Sequence, residues 1–273
     1  MTVKRQFVDL PHGQVHLRMA GEGRPLLLIH GSPGSALQLS PMIAQLAATR
    51  RVVAPDTPGN GDSPALPIAE PAIADFARVQ LQLLDVLGLE KADIFGTHTG
   101  AAVAVELALL APDRVGRLVL DGVGLFTPES RDEMLARYAH PFTPDLEGAY
   151  LARAFTFCRD MFLFFPWYDR SPAARRAGGL PPAAVVNGLL LEVLKAAETY
   201  PIPYRAAMTW PGRERLPLLK HPALFTASTD DPLIADTREA WALVPGGEWL
   251  DLPGYGDAGF AARRLEGLQR FLG

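Results

Sequence analysis

Short uninterrupted apolar runs, separated by stretches in which apolar residues recur every three or four positions, set the plan of this chain. Leu26-Leu27-Leu28-Ile29 and Val52-Val53-Ala54 have the length of strands, and apolar side chains at consecutive positions mean that both faces are covered, as in a parallel sheet. Ala92-Asp93-Ile94-Phe95 reads as another short buried strand, and Arg117-Leu118-Val119-Leu120 continues the sheet. Between Ala72 and Leu87, the residues Ile73, Phe76, Val79, Leu83, Leu84 and Leu87 keep helical spacing, which predicts a helix crossing back over the sheet. Ala101 to Leu110 predicts a second helix, stopped near Pro112. At the start of the chain, Gln6 to Leu10 and Gln14 to Met19 are parted by Pro11, His12 and Gly13, which predicts an antiparallel hairpin at a sheet edge.

The alternation breaks at about Phe126. As far as about Leu216 the chain is rich in Pro, Arg and aromatic residues, with helical patches at Tyr150 to Phe165 and Ala184 to Ala197 and no strand-like run of comparable quality. Strand and helix then alternate again: Ala223 to Thr226, Ala235 to Leu243, Trp249 to Leu252 and a final helix to Leu272. The fold class is therefore α/β, a mostly parallel sheet flanked by helices, with residues 1–125 and 217–273 forming the core and residues 126–216 an inserted helical cap. The chain shows no internal repeat and no low-complexity tract.

Composition narrows the partners. A chain of 273 residues, 48% of them hydrophobic, suits one large domain with an insertion. The net charge of −4 and the scattered Lys and Arg residues provide no basic stripe for nucleic acid or an anionic membrane, so the expected partner is a small molecule, with self-association left open. No apolar run reaches the ~18 residues of a membrane span. A single cysteine, Cys158, excludes internal disulfides, and Met1 to Gln6 lacks the apolar run of a signal peptide, so a cytoplasmic location is expected. No phosphate loop, metal cluster or dinucleotide fingerprint is present, so no cofactor and no metal are expected.

Candidate chemistry centres on Gly96-Thr97-His98-Thr99-Gly100, which lies between a predicted strand and a predicted helix. It has the outline of a G-x-S-x-G nucleophile elbow, with small residues at its flanks for a tight turn, but with histidine in place of serine. Two further motifs accompany it. His30-Gly31-Ser32-Pro33-Gly34 directly follows the Leu26 to Ile29 strand, and Asp56-Thr57-Pro58-Gly59-Asn60-Gly61-Asp62-Ser63 follows the next one.

On these three motifs in this order, and on the split core, the chain resembles the α/β-hydrolase superfamily over nearly its whole length outside the cap. The resemblance implies an α/β-hydrolase fold and an oxyanion and substrate-binding site that takes in the backbone N–H groups of Ser32 and Thr99 together with His30, a loop residue more often structural than catalytic. It implies a catalytic acid at Asp231 in Thr229-Asp230-Asp231-Pro232, with Asp121 as an alternative acid. Where family members carry the catalytic histidine after the last strand, this chain reads Gly254-Tyr255-Gly256-Asp257. Ser has become His and His has become Asp, so the usual Ser-His-acid relay cannot be assembled from these positions.

The elbow and the post-strand loop are neighbours in such a fold, so a His98–Asp257 hydrogen bond is expected, with Asp231 as a second carboxylate beside the ring. His98 would then serve as a general base on water or as a nucleophile. Phe155, Phe157, Phe162, Phe164, Phe165, Trp167 and Tyr168 form an aromatic cluster in the cap, from which Trp167 and Tyr168 are taken as substrate-pocket candidates. The function expected is hydrolysis of a small, largely apolar carbonyl substrate, such as an ester, a lactone or a carbon–carbon bond. The alternatives are a ligand-binding pseudoenzyme and a non-hydrolytic lyase or cofactor-free oxygenase. Haloalkane dehalogenase and epoxide hydrolase chemistry is disfavoured, because those relatives need aspartate where His98 stands.

Overall fold

Leu27 and Ile29 pack against one face of the central sheet and Leu26 and Leu28 against the other, which is why this stretch is apolar at every position. A computed structural model describes residues 2–273. The chain opens with β1 (Lys4–Leu10) and β2 (Gly13–Ala20), the expected hairpin, followed by β3 (Pro25–Ile29), α1 (Ser40–Leu46), β4 (Arg51–Pro55), α2 (Ile73–Val86), β5 (Ala92–Thr97), α3 (Thr99–Leu110) and β6 (Val115–Asp121). Helices α4 (Pro128–Arg137), α5 (Ala149–Leu163), α6 (Ala183–Lys195), α7 (Pro201–Met208) and α8 (Gly212–Arg215) come next, and β7 (Ala223–Ser228), α9 (Ile234–Ala242), β8 (Glu248–Leu252) and α10 (Phe260–Leu272) complete the chain. The strands form one eight-stranded sheet in the order β1-β2-β4-β3-β5-β6-β7-β8. Only the β1–β2 and β2–β4 pairings are antiparallel.

Three layers result. Helices α2, α3 and α9 cover one face through Phe76, Leu83, Val103 and Ala240, while α1 and α10 cover the other through Ile43, Leu46, Leu268 and Phe271. Helix α3 is buried along nearly its whole length, from Thr99 to Ala108, because it lies between the sheet and later helices; its small apolar residues on every side fit that position. Glu106 on this helix is buried and takes both Nε and Nη2 of Arg215, at 2.8 and 2.9 Å, together with the Trp210 indole N–H at 2.8 Å. That cluster ties the segment between β6 and β7 to the helix behind the elbow.

The segment between β6 and β7 also has its own apolar cluster, which includes Met134, Tyr138, Phe157, Val193 and Tyr200. It is anchored to the core by Thr199, whose Oγ1 donates to the Gly59 carbonyl at 2.7 Å, and by Lys195, whose ammonium donates to Asp62 at 3.0 Å. The C-terminal ends of β3, β5, β6, β7 and β8 open beneath it, where ligands collect in open parallel sheets. No helix among the described residues is long and apolar enough to cross a membrane.

Candidate active site

β5 ends at Thr97 and α3 begins at Thr99, so His98 alone makes the turn between them. Its φ of 50° lies in the left-handed region, and it is the only non-glycine among the described residues to do so. Such a conformation costs a side-chain-bearing residue about 1–3 kcal/mol and persists where the surroundings enforce it. The enforcement is visible. A Cβ on Gly96 would collide with the Gly100 carbonyl, and a Cβ on Gly100 would collide with the Ile29 carbonyl. The His98 amide also donates to the Asp121 carbonyl at 2.8 Å, fastening the elbow to the end of β6.

Asp231 sits in the turn after β7 and is 3% exposed. Its Oδ1 accepts the Leu233 amide at 2.8 Å, and its Oδ2 pairs with His98 Nε2 at 3.0 Å and accepts the Tyr255 hydroxyl at 3.1 Å. Burial opposes ionisation of Asp231, but the charge and hydrogen bond of His98 and the other two donors bring its pKa down to about 2. An ionised Asp231 can only accept, so Nε2 of His98 carries the proton and Nδ1 holds the lone pair of the neutral ring. Burial also works against a charged imidazole. The charge and hydrogen bond of Asp231, with Asp121 behind it, outweigh burial and the opposing Arg176 charge, and hold the His98 pKa above its ordinary value. Burial and the neighbouring Asp231 charge push Asp121 up to about 6, and burial next to these acids pushes the Tyr255 phenol far up, so that it remains a hydrogen-bond donor.

A cavity of about 690 Å³ opens over His98, whose side chain is 34% exposed into it. Ser32 and Thr99 line its floor. The Thr99 amide stands at the first position of α3, where the helix itself supplies no acceptor, so it is available to an oxyanion. Phe126, Phe162, Phe165 and Tyr204 contribute to the apolar wall from above.

The structure departs from the sequence reading at Asp257, Trp167, Tyr168 and His30, the last of which does not line the cavity. Asp257 does not reach His98: it is exposed and accepts the Gly259 amide at 2.7 Å within its own turn, and the acid at the ring is Asp231. Trp167 and Tyr168 do not line the cavity. The Trp167 indole donates to the Tyr138 carbonyl at 2.8 Å and its ring stands edge-on to Phe157, while the Tyr168 hydroxyl points at Met134 Sδ and its ring lies under the Arg137 guanidinium. Both are packing residues of the apolar cluster between β6 and β7, and Phe162 and Phe165 from the same aromatic run face the cavity instead.

His30 is buried, with Nδ1 donating to the Gly31 carbonyl and Nε2 accepting the Thr57 amide, both at 2.9 Å, so it joins two loops and is held neutral by burial. Arg159 and Arg170 both pair with buried Asp160. Burial pushes the Cys158 thiol up to about 12, leaving it inert. Among the cavity residues that escaped the sequence reading are Tyr255, signalled only by its place in the Gly254-Tyr255-Gly256-Asp257 loop, and Arg176, which has no sequence signal.

The ligating atoms of His16, Asp56 and Asp62 lie within 4.8 Å of one another, a spacing that suits a metal ion. Asp56 is already engaged by His16 and by the amides of Ala36 and Asp62, and Asp62 by Lys195, so the two acids serve as a loop anchor away from the cavity lining, while His16 Nε2 is buried without a partner.

A family model described as the alpha/beta hydrolase fold matches residues 24–261. A protein of Azorhizobium caulinodans named as a candidate carbamate hydrolase is 28% identical over 221 residues, 81% of this chain and 78% of that one. The 2-hydroxy-6-oxo-6-phenylhexa-2,4-dienoate hydrolase of Burkholderia cepacia is 33% identical over 147 residues, and that match spans 48% of this chain and half of the enzyme's length. Among solved structures, the enol-lactonase from Burkholderia xenovorans LB400 superposes with a TM-score of 0.74 at 20% identity, over 98% of this chain and 99% of that one.

Proposed function

The chain belongs to the α/β-hydrolase fold family, and on that premise we propose that it hydrolyses a compact, largely apolar carbonyl substrate with His98 as general base. The observation that carries this reading is the 3.0 Å contact of His98 Nε2 with Asp231 Oδ2 beneath an apolar cavity. A carboxylate on one imidazole nitrogen fixes the tautomer and leaves the other nitrogen basic, which is the arrangement of an oriented catalytic base. The relatives' names point the same way, since they include oxo-acid, lactone and carbamate substrates.

In this mechanism the substrate carbonyl oxygen lies on the amides of Ser32 and Thr99. Water attacks the carbonyl carbon as its proton passes to His98 Nδ1; the new C–O bond forms while the C=O π pair moves to oxygen. Collapse of the tetrahedral species then expels the leaving group, which takes the proton back from Nδ1. The same reading makes residues 126–216 a cap that closes the cavity, gives the protein a small-molecule partner and places it in the cytoplasm, in keeping with its single buried free cysteine.

The test is turnover of an aryl-ester and lactone panel from pH 5 to 9 by the protein and by His98→Ala. A fall of about 10²- to 10⁴-fold in the variant is expected. Equal turnover by both proteins would remove His98 from the mechanism.

A further inference from the structure

Apart from tyrosines, four charged or chargeable side chains line the cavity: His98, Arg176, Asp230 and Asp231. Three of them have polar side-chain partners. Asp231 holds His98 and the Tyr255 hydroxyl, and Asp230 Oδ1 accepts the Ser228 hydroxyl at 2.7 Å and the Tyr255 amide at 3.0 Å. Arg176 is the exception. Its Nη1 and Nη2 donate only to main-chain carbonyls, Met161 at 2.7 Å and Asp230 at 3.2 Å, and among the described residues it forms no salt bridge. A guanidinium has five N–H donors, so more than half are left unused.

Other arginines of the segment between β6 and β7 show the contrast. Arg159 and Arg170 share Asp160, Arg213 pairs with Glu239, and Arg215 with Glu106; Arg175 and Arg205 also lack a carboxylate partner, but neither lines the cavity. A half-buried arginine on the wall of a mainly apolar cavity, with no carboxylate partner, has its charge and its remaining donors available to an anion. The two carbonyl anchors, one from α5 and one from the loop that carries Asp231, preset the plane of the fork, so little ordering is left for a ligand to impose. The Arg176 charge also acts on both His98 and Tyr138, which places it within electrostatic reach of the elbow and of the opposite wall.

We infer that Arg176 binds an anionic group of the substrate, with a carboxylate as the planar match to its fork, separately from the carbonyl that lies over His98. As a statement about turnover this rests on the hydrolase reading; as a statement about binding it stands without it. Binding is therefore the test. Intrinsic tryptophan fluorescence, with Trp210 in the cavity wall as reporter, is titrated with 5-phenylpentanoate and with its neutral amide.

The expected result is at least about tenfold tighter binding of the carboxylate by the wild-type protein. That ratio should fall to about one in Arg176→Gln, be partly kept in Arg176→Lys, which retains the charge, and persist in His98→Ala. A ratio of one in the wild-type protein would overturn the inference even if Arg176→Gln failed to fold. So would a ratio that survives in Arg176→Gln, or one that vanishes in His98→Ala. Loss of turnover in His98→Ala is read from the ester panel, so failure of the catalytic reading and failure of this one are separate results.

Discussion

A Cβ placed on Gly122 would lie 2.6 Å from Cδ2 and 2.7 Å from Nε2 of His98. Gly122 follows β6 with a φ of +75°, and its amide donates to the Thr226 carbonyl at 3.0 Å, so the backbone there is fixed beside the imidazole. A ring is far larger than a serine hydroxymethyl, and the elbow admits one because Gly31 and Gly122 present no side chain on either side of it. The reach of that ring brings the elbow directly to Asp231, with no second histidine between them.

Gly122→Ala meets both obstacles, an unfavourable φ and a clash with the ring. A loss of about 1–3 kcal/mol of stability is expected from the backbone alone. Displacement of the imidazole from Asp231 should lower kcat/KM at least about tenfold. Thermal unfolding and steady-state kinetics on one preparation check both; unchanged kinetics would mean the ring does not depend on this gap.

Tyr255→Phe keeps the ring but removes the hydroxyl that donates to Asp231 Oδ2. The expected cost is about 1 kcal/mol of stability, with kcat falling several-fold because Asp231 is less firmly held. KM should change little, since the hydroxyl is spent on Asp231. A variant with wild-type kcat would show that His98 and the Leu233 amide alone hold the acid.

Asp121 governs stability with a sign that can be worked out. Its pKa is raised to about 6, so the folded state binds the proton more tightly than the unfolded chain and loses stability as pH rises from 3.8 through about 6. His98, also raised, adds stability that is full below 6.5 and lost as pH rises through its folded pKa. Asp231, lowered to about 2, adds stability that is present above 3.8 and lost as pH falls through about 2. Asp121→Asn removes the first contribution and reduces the second, because the Asp121 charge helps to hold the His98 pKa up. Urea unfolding should show the variant close to wild type near pH 4 and more stable by about 1–3 kcal/mol at pH 8; an unstable variant at pH 8 would refute the assignment.

Much of this could be read from residues. The runs at Leu26, Val52, Ile94, Val119 and Leu224 are apolar on both faces because the sheet is covered on both, and periodicity reports that directly. The elbow was legible because its glycines answer to backbone collisions. Helix α4 was not, since Met134 is its only buried side chain and a polar helix leaves no apolar stripe. Asp257 misled because a loop carries no periodicity: its carboxylate is satisfied within its own turn, and the residue turned inward is Tyr255, two positions earlier. Trp167 and Tyr168 misled for a related reason. Aromatic composition identifies a cluster but not which members face its centre and which face the cavity.

The pairing of His98 with Asp231 is the claim on which the mechanism depends, and the pH dependence of kcat/KM in wild type and Asp231→Asn tests it most directly. For one ester or lactone that the protein turns over, the wild-type profile should rise through a single ionisation above 6.5, because the carboxylate holds the imidazole in its charged form to higher pH. Asp231→Asn should reach a plateau lower by about 10²- to 10⁴-fold, with its midpoint moved to lower pH as the stabilising charge is lost. A midpoint that stays in place, or a plateau that does not fall, would contradict the pairing as the working base.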